Sequence, residues 1–368
     1  MNRKLKILIS GGGTGGHIFP AIAIANAIKE KQPDVEIQFV GALGRMEMEK
    51  VPLAGFPITG LWISGFQRKL TIRNLSFPAK VLSSIIKANR IITMFKPDIV
   101  IGTGGYASGP LLYVASKKKI PTLIHEQNAF PGVTNKLLAK SVTKVCVSYP
   151  EMEKYFPKEK IVITGNPIRK EIQNLTPTKK ESLEFFNLKQ NKKTLLIIGG
   201  SQGAQQINIA IAENIKKLLE LGLQIIWQTG SSTHELAKES AGENKDIAIY
   251  EFIQKMDMAY TASDFIISRA GAIAIAEIIS AKKPAIYIPL PSAAEDHQTK
   301  NAMSLVDGEA GLIVNETEAL EKLPQVVKTL VEDHALQESI IANLVSYSYP
   351  NAAADIANEV LKLTIKEK

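Results

Sequence analysis

The sequence predicts an α/β protein built from two tandem, doubly wound Rossmann-like domains, and three observations carry that prediction. The 368 residues amount to two domains at roughly 150 residues each. Short apolar runs that read as buried strands alternate with longer stretches that read as helices, which is the grammar of parallel sheets. The order strand, glycine loop, helix in the first half recurs in the second.

Taken along the chain, residues 5–10 form an apolar run into Gly11-Gly12-Gly13-Thr14-Gly15-Gly16, followed by an alanine-rich helix over residues 20–29. Residues 37–40 read as the next strand and end in Gly41-Ala42-Leu43. Residues 98–101 lead into Gly102-Thr103-Gly104-Gly105, and residues 121–124 into His125-Glu126-Gln127-Asn128. The second half repeats the series. Residues 194–198 enter Gly199-Gly200-Ser201-Gln202-Gly203 and a helix over 204–219. Residues 264–267 enter Ser268-Arg269-Ala270-Gly271 and a helix carrying Glu277, and residues 284–288 enter a polar loop ending Asp296-His297-Gln298. The boundary is expected near residues 164–168, giving domains over 1–165 and 166–348. Residues 349–368 contain a last helix, after Pro350, that could join either domain. Ligands of open parallel sheets bind outside the carboxyl ends of the strands. Two such domains facing one another would form a cleft from these loops.

Composition excludes other classes. A hydrophobic fraction of 45% with 22% charged residues argues against disorder and fibre. The single cysteine, Cys146, lies between Val145 and Val147 and reads as a small buried hydrophobe in a reducing compartment. The apolar run near the amino terminus is broken by Ser10 and glycines, so no export signal is expected. The charge-free stretch 99–116 is interrupted by Gly102, Gly104, Gly105, Gly109 and Pro110, so no spanning helix is expected either. Net charge is +8, yet residues 1–165 carry net +13 and the remainder net −5. Between residues 61 and 119, ten bases face one acid, Asp98. Such a field favours an anionic partner.

Glycine loops that open helices offer backbone N–H groups and a positive dipole end to phosphate. Gly11, Gly13 and Gly16 satisfy G-x-G-x-x-G, which makes a nicotinamide-dependent oxidoreductase the rival reading. That reading lacks its acid, because the strand over 37–40 ends without a carboxylate for the adenosine ribose. No glycine precedes a Lys-Ser or Lys-Thr pair, so a nucleoside-triphosphate hydrolase loop is missing. The five histidines show no zinc spacing and no Asp-x-Asp pair is present, so no metal and no cofactor are expected. A leaving diphosphate would then rely on helix amides and cationic side chains. His17, directly after the first glycine loop, could be a general base or a packed helix-start residue. Glu126 could be a second base or a hydrogen-bonding loop residue. Glu277 could accept ribose hydroxyls or be a solvated helix acid.

Six segments, 12–20, 104–110, 125–128, 165–169, 199–204 and 296–298, together resemble the bacterial peptidoglycan N-acetylglucosaminyltransferases of the GT-B fold. The resemblance spans nearly the whole chain in consistent order. It implies inverting transfer of N-acetylglucosamine from UDP-N-acetylglucosamine to the C4 hydroxyl of undecaprenyl-pyrophosphoryl-N-acetylmuramoyl-pentapeptide. His17 is then the first candidate for the base and Glu126 the second. Thr14, Gly15 and Gly16 would lie beside the donor, and Asn128 would reach across the cleft toward its sugar. Arg169 and Ser201 would contact nucleotide and diphosphate, and Ile253 would read uracil through its backbone. Ala272, Ile273, Ala274, Ile275, Ala276 and Glu277 would approach diphosphate and ribose, and Gln298 the sugar hydroxyls. Ala274 stands where a hydroxyl residue is common, which removes a side-chain phosphate bond there. Another GT-B lipid glycosyltransferase, a UDP-sugar epimerase and a non-enzymatic nucleotide-binding module are the rivals. A lipid-tethered acceptor further implies peripheral docking on the cytoplasmic face of a membrane, with no role for nucleic acid. The expected docking segment is 66–95, where Leu75, Phe77, Val81, Leu82, Ile85 and Ile86 are interleaved with Arg68, Lys69, Arg73, Lys80, Lys87 and Arg90.

Overall fold

The computed structural model describes residues 3–65, 76–199 and 203–365. The chain divides into two compact units, Met1–Ile168 with Asn351–Lys368, and Arg169–Pro350.

The first unit is a parallel sheet of β1 (Lys6–Ser10), β2 (Glu36–Ala42), β3 (Ile58–Leu61), β4 (Ile99–Gly102), β5 (Thr122–Glu126), β6 (Lys144–Val147) and β7 (Ile161–Ile163). The spatial order is β3-β2-β1-β4-β5-β6-β7, with the reversal of a doubly wound fold between β1 and β4. Strand alternation divides the core between the two sheet faces. Ile7, Ile9, Ile99, Ile101, Leu123 and Cys146 pack on one face against Ile18, Ile24 and Ile28 of the helix Gly15–Lys31. The opposite face takes Leu8, Val100, Ile124, Val145 and Val147 with Leu111 and Leu112 of the helix Ser108–Lys117 and Ala88 and Ile92 of the helix Phe77–Phe95. Burial pushes the Cys146 thiol up to about 12, so it packs as a neutral hydrophobe. The final helix, Ala352–Thr364, inserts Ile356, Ala357 and Val360 into the first of these cores.

The helix Gly15–Lys31 begins five residues before the alanine-rich run and holds Pro20 inside it. Proline there forgoes one ladder bond. The extra turn brings His17 onto the helix. Ser10 pairs with Gly102, and Gly102 with Ile124, so the loops that follow β1, β4 and β5 leave the sheet side by side.

The second unit repeats the plan with β8 (Lys193–Ile198), β9 (Leu223–Gln228), β10 (Ile247–Tyr250), β11 (Phe265–Ser268), β12 (Ala285–Tyr287) and β13 (Leu312–Ile313), ordered β10-β9-β8-β11-β12-β13. All its pairings are parallel. Its core buries Trp227, Tyr260 and Tyr287 completely, and Trp227 Nε1 donates to Asn208 Oδ1 at 2.9 Å.

Candidate active site

In the first unit an internal acid shapes the glycine loop. Glu47, fully buried, accepts the Gly13 N–H through Oε2 and the Ala42 N–H through Oε1, each at 2.9 Å. The β4 loop then approaches closely enough that a Cβ on Gly105, at φ 87°, would meet the Gly12 carbonyl oxygen at 2.2 Å. Glycine is required at that position. Thr14 caps the helix Gly15–Lys31 with extended backbone and no side-chain cap bond. The N–H groups of Gly15 and Gly16 are therefore among those a helix leaves without intrahelical partners, an arrangement suited to an anion.

His17 lies half-buried in that first turn. Its Nδ1 is 3.1 Å from Gln127 Oε1, and its backbone carbonyl accepts the Thr103 hydroxyl at 2.7 Å. Gly104, at φ 98°, makes room for the ring, because a Cβ there would lie 2.7 Å from Nδ1. Among the described residues Nε2 makes no hydrogen bond to protein.

Glu126 is in a different situation. It is buried, and Oε1 accepts the backbone N–H of Asn128 at 3.0 Å and the Asn128 amide at 3.1 Å. Oε2 accepts the Gly132 N–H at 3.1 Å and the Asn135 amide at 2.8 Å. Each oxygen thus meets two donors, and the carboxylate organises the 126–135 loop that presents Asn128.

In the second unit the loops after β8, β11 and β12 emerge from adjacent strands. Arg169 and Glu277 form a two-pronged pair, Nε to Oε1 and Nη2 to Oε2, both at 2.9 Å, and the Tyr260 hydroxyl donates to Oε2 at 3.2 Å. Burial depresses the Arg169 pKa, but the Glu277 hydrogen bond and charge outweigh it, so the net shift is upward. Burial and the Glu277 charge raise Tyr260 well above its ordinary value. Glu277 is thus no solvated helix acid. Its helix, Ala272–Ala281, opens at Gly271 with Ala272, Ile273, Ala274, Ile275 and Ala276, so its start carries no side-chain hydroxyl, and the Ile275 N–H donates to the Gly271 carbonyl at 2.9 Å. The Ile253 N–H donates to Gln228 Oε1 at 3.0 Å. Gln298 Oε1 accepts the Leu290 N–H at 2.9 Å and ties down the loop after β12. Ser201 lies outside the described residues.

Three of these side chains escaped the sequence reading: Glu47, Tyr260 and Gln127, the last quoted in a motif without a role. Among the described residues no group of three or more His, Cys, Asp or Glu side chains is arranged for a metal ion, and no helix is long and apolar enough to cross a membrane.

Comparison with known proteins places these loops in a family context. The glycosyltransferase family 28 N-terminal domain matches residues 7–147, and the glycosyltransferase family 28 C-terminal domain matches residues 194–360. A relative from Flavobacterium psychrophilum, named UDP-N-acetylglucosamine--N-acetylmuramyl-(pentapeptide) pyrophosphoryl-undecaprenol N-acetylglucosamine transferase, is 47% identical over 365 residues, 99% of each chain. One of the same name from Cytophaga hutchinsonii is 49% identical over 361 residues, 98% of this chain and 97% of its own. The crystal structure of Acinetobacter baumannii MurG matches with TM-score 0.78 and 29% identity, covering 97% of this chain and 99% of that one.

Proposed function

The chain belongs to glycosyltransferase family 28, and from that premise we propose that it transfers N-acetylglucosamine from UDP-N-acetylglucosamine to the C4 hydroxyl of undecaprenyl-pyrophosphoryl-N-acetylmuramoyl-pentapeptide. One observation carries the reading: relatives bearing that transferase name match at nearly half identity over essentially their whole length. The reaction forms a bond from the acceptor oxygen to the anomeric carbon. It breaks the bond from that carbon to the diphosphate, which leaves as UDP, and a base takes the hydroxyl proton. Displacement in one step inverts the configuration to β.

His17 is the base in this reading, supported by the unencumbered Nε2 and the neighbouring glycine loop. Glu126, with both oxygens doubly engaged, keeps the loop in shape. Thr14, Gly15 and Gly16 serve the donor in this reading, and Asn128 its sugar. On the donor side, Ile273 and Ala274 in the first turn of their helix supply backbone donors to diphosphate, with Ala272, Ile275 and Ala276 lining the same approach. Glu277 takes ribose hydroxyls through the acceptor capacity that Arg169 and Tyr260 leave, while Arg169 and Ser201 serve the nucleotide and diphosphate. Ile253 serves uracil and Gln298 the sugar.

The first unit also supplies the membrane contact. On the helix Phe77–Phe95, Leu82 and Ile86 are exposed one turn apart beside exposed Lys87 and Arg90, with Trp62 and Tyr113 also exposed in this unit. Val81 and Ile85, by contrast, pack against the core. Arg68, Lys69, Arg73 and Leu75 lie outside the described residues. UDP release tests the enzymatic reading: it should require the lipid-linked acceptor, whereas acceptor-independent conversion of the donor sugar would favour an epimerase.

A further inference from the structure

The tautomer of His17 follows from a chain of hydrogen bonds that starts at a group able only to accept. The Gly165 carbonyl oxygen lies 3.1 Å from His125 Nε2, so that nitrogen carries a proton. Ser148 Oγ, 3.3 Å from the same nitrogen, finds acceptors for its own proton in Asn166 Oδ1 at 2.8 Å and the Glu126 carbonyl at 3.1 Å, and so accepts from the ring. Complete burial lowers the His125 pKa to about 4, against the raising effect of the Gly165 bond. Near neutral pH the ring is therefore neutral and its Nδ1 is a bare acceptor. The Gln127 side chain faces that Nδ1 at 2.9 Å and must present its amide nitrogen. The same amide nitrogen faces two carbonyl oxygens, of Thr103 at 2.9 Å and of His125 at 3.2 Å, and both only accept. The carboxamide is left with one orientation, Oε1 toward His17 Nδ1 at 3.1 Å. An amide oxygen only accepts, so His17 Nδ1 holds a proton, and a lone pair on this ring can sit only on Nε2.

We propose that Gln127 is a positioning residue that holds His17 as the Nδ1–H tautomer with Nε2 as the proton acceptor, its own orientation being set by the buried imidazole of His125. The proposal rests on the reading of His17 as the base. Residues two apart at a strand end share a side, which is how His125 and Gln127 meet while Glu126 between them turns to Asn128, Gly132 and Asn135. The logic is that of a carboxylate behind a catalytic histidine, performed by a neutral amide that adds no charge. When Nε2 takes the acceptor proton and UDP departs, the imidazolium keeps its Nδ1–H on Gln127.

Nitrogen-15 NMR of the full chain carrying labelled histidine, above neutral pH, reads this directly. The expected spectrum has His17 Nδ1 protonated and Nε2 bare. Gln127→Leu should release the ring into a mixture of tautomers and lower kcat by about tenfold or more, a share of the roughly 10²- to 10⁴-fold that a positioned base contributes, with the KM for UDP-N-acetylglucosamine little changed. A wild-type His17 protonated at Nε2 would overturn the proposal, as would a Gln127→Leu enzyme with unchanged tautomer and kcat. The wild-type spectrum decides even if the variant does not fold. Because the tautomer is read without turnover, its failure is distinct from that of the base assignment, which would show as undiminished kcat in His17→Ala.

Discussion

If the proposed role of His17 holds, removing its imidazole should lower kcat by about 10² or more while UDP affinity is retained, since a base for the acceptor proton does not bind the nucleotide. Glu126→Gln should act differently. An amide placed among the N–H groups of Asn128, Gly132 and Asn135 sets donor against donor, and each lost bond costs about 1–3 kcal/mol. Urea unfolding should register that change. A large kcat loss in Glu126→Gln at unchanged stability, with His17→Ala fully active, would exchange the two roles. Glu277→Ala should weaken UDP binding by about 1.5–3 kcal/mol, the range for hydrogen bonds to a charged group. It also strands Arg169, so calorimetry must be run on protein shown to be folded, and unchanged affinity there would remove Glu277 from the donor site. His125 makes a prediction about pH. Its folded pKa of about 4 lies below the unfolded 6.5, so between those values the unfolded chain binds a proton that the folded chain does not. Its contribution to stability is complete above about 6.5 and is lost as pH falls toward 4, at up to about 1.4 kcal/mol per pH unit. His125→Gln should flatten that part of the profile in urea titrations, and an unaltered profile would mean that the ring takes up its proton as readily in the native state as in the unfolded chain.

At the scale of elements, strands and glycine loops were legible because both are local signals: an apolar run of strand length, then residues whose missing side chains permit turns. What lay between them was less so. The start of the helix Gly15–Lys31 was hidden because two glycines and a proline in its first turns argue against helix. Nothing in the local sequence marks Glu47, and only tertiary placement turns it onto the N–H groups of Gly13 and Ala42. Glu277 could be singled out by its position after a glycine loop, but Arg169 and Tyr260, 108 and 17 residues away, could not be paired with it from sequence. The helix Phe77–Phe95 shows the same limit, since its apolar spacing does not say which side faces the core. Of the apolar spacing read from the sequence, Leu82 and Ile86 are exposed, so Leu82→Asp with Ile86→Asp should weaken binding to anionic vesicles and spare UDP binding. Binding to wild type should fall as salt rises, each nearby Lys or Arg contributing about 1 kcal/mol at low salt. Equal binding to neutral and anionic vesicles, or no effect of the double substitution, would place the membrane contact elsewhere.

At the scale of the whole molecule, two units follow one plan, and the proposed site residues are distributed over both. The first, with its net positive sequence, carries the candidate base and the exposed basic helix, and the second carries the Arg169–Glu277 pair and the loops assigned to the nucleotide. A duplicated doubly wound fold needs only loop changes to specialise in this way, because the strand ends already converge on a ligand position in each copy. The most direct test is incubation of the full chain with labelled UDP-N-acetylglucosamine and a short-chain analogue of the lipid-linked muramoyl-pentapeptide, with and without a chelator, followed by linkage analysis of the product. The account predicts a β-1,4-linked disaccharide on the lipid, one UDP released per sugar transferred, and the same rate with chelator present. An α-linked product, release of the sugar to water alone, or a complete requirement for divalent metal would contradict it.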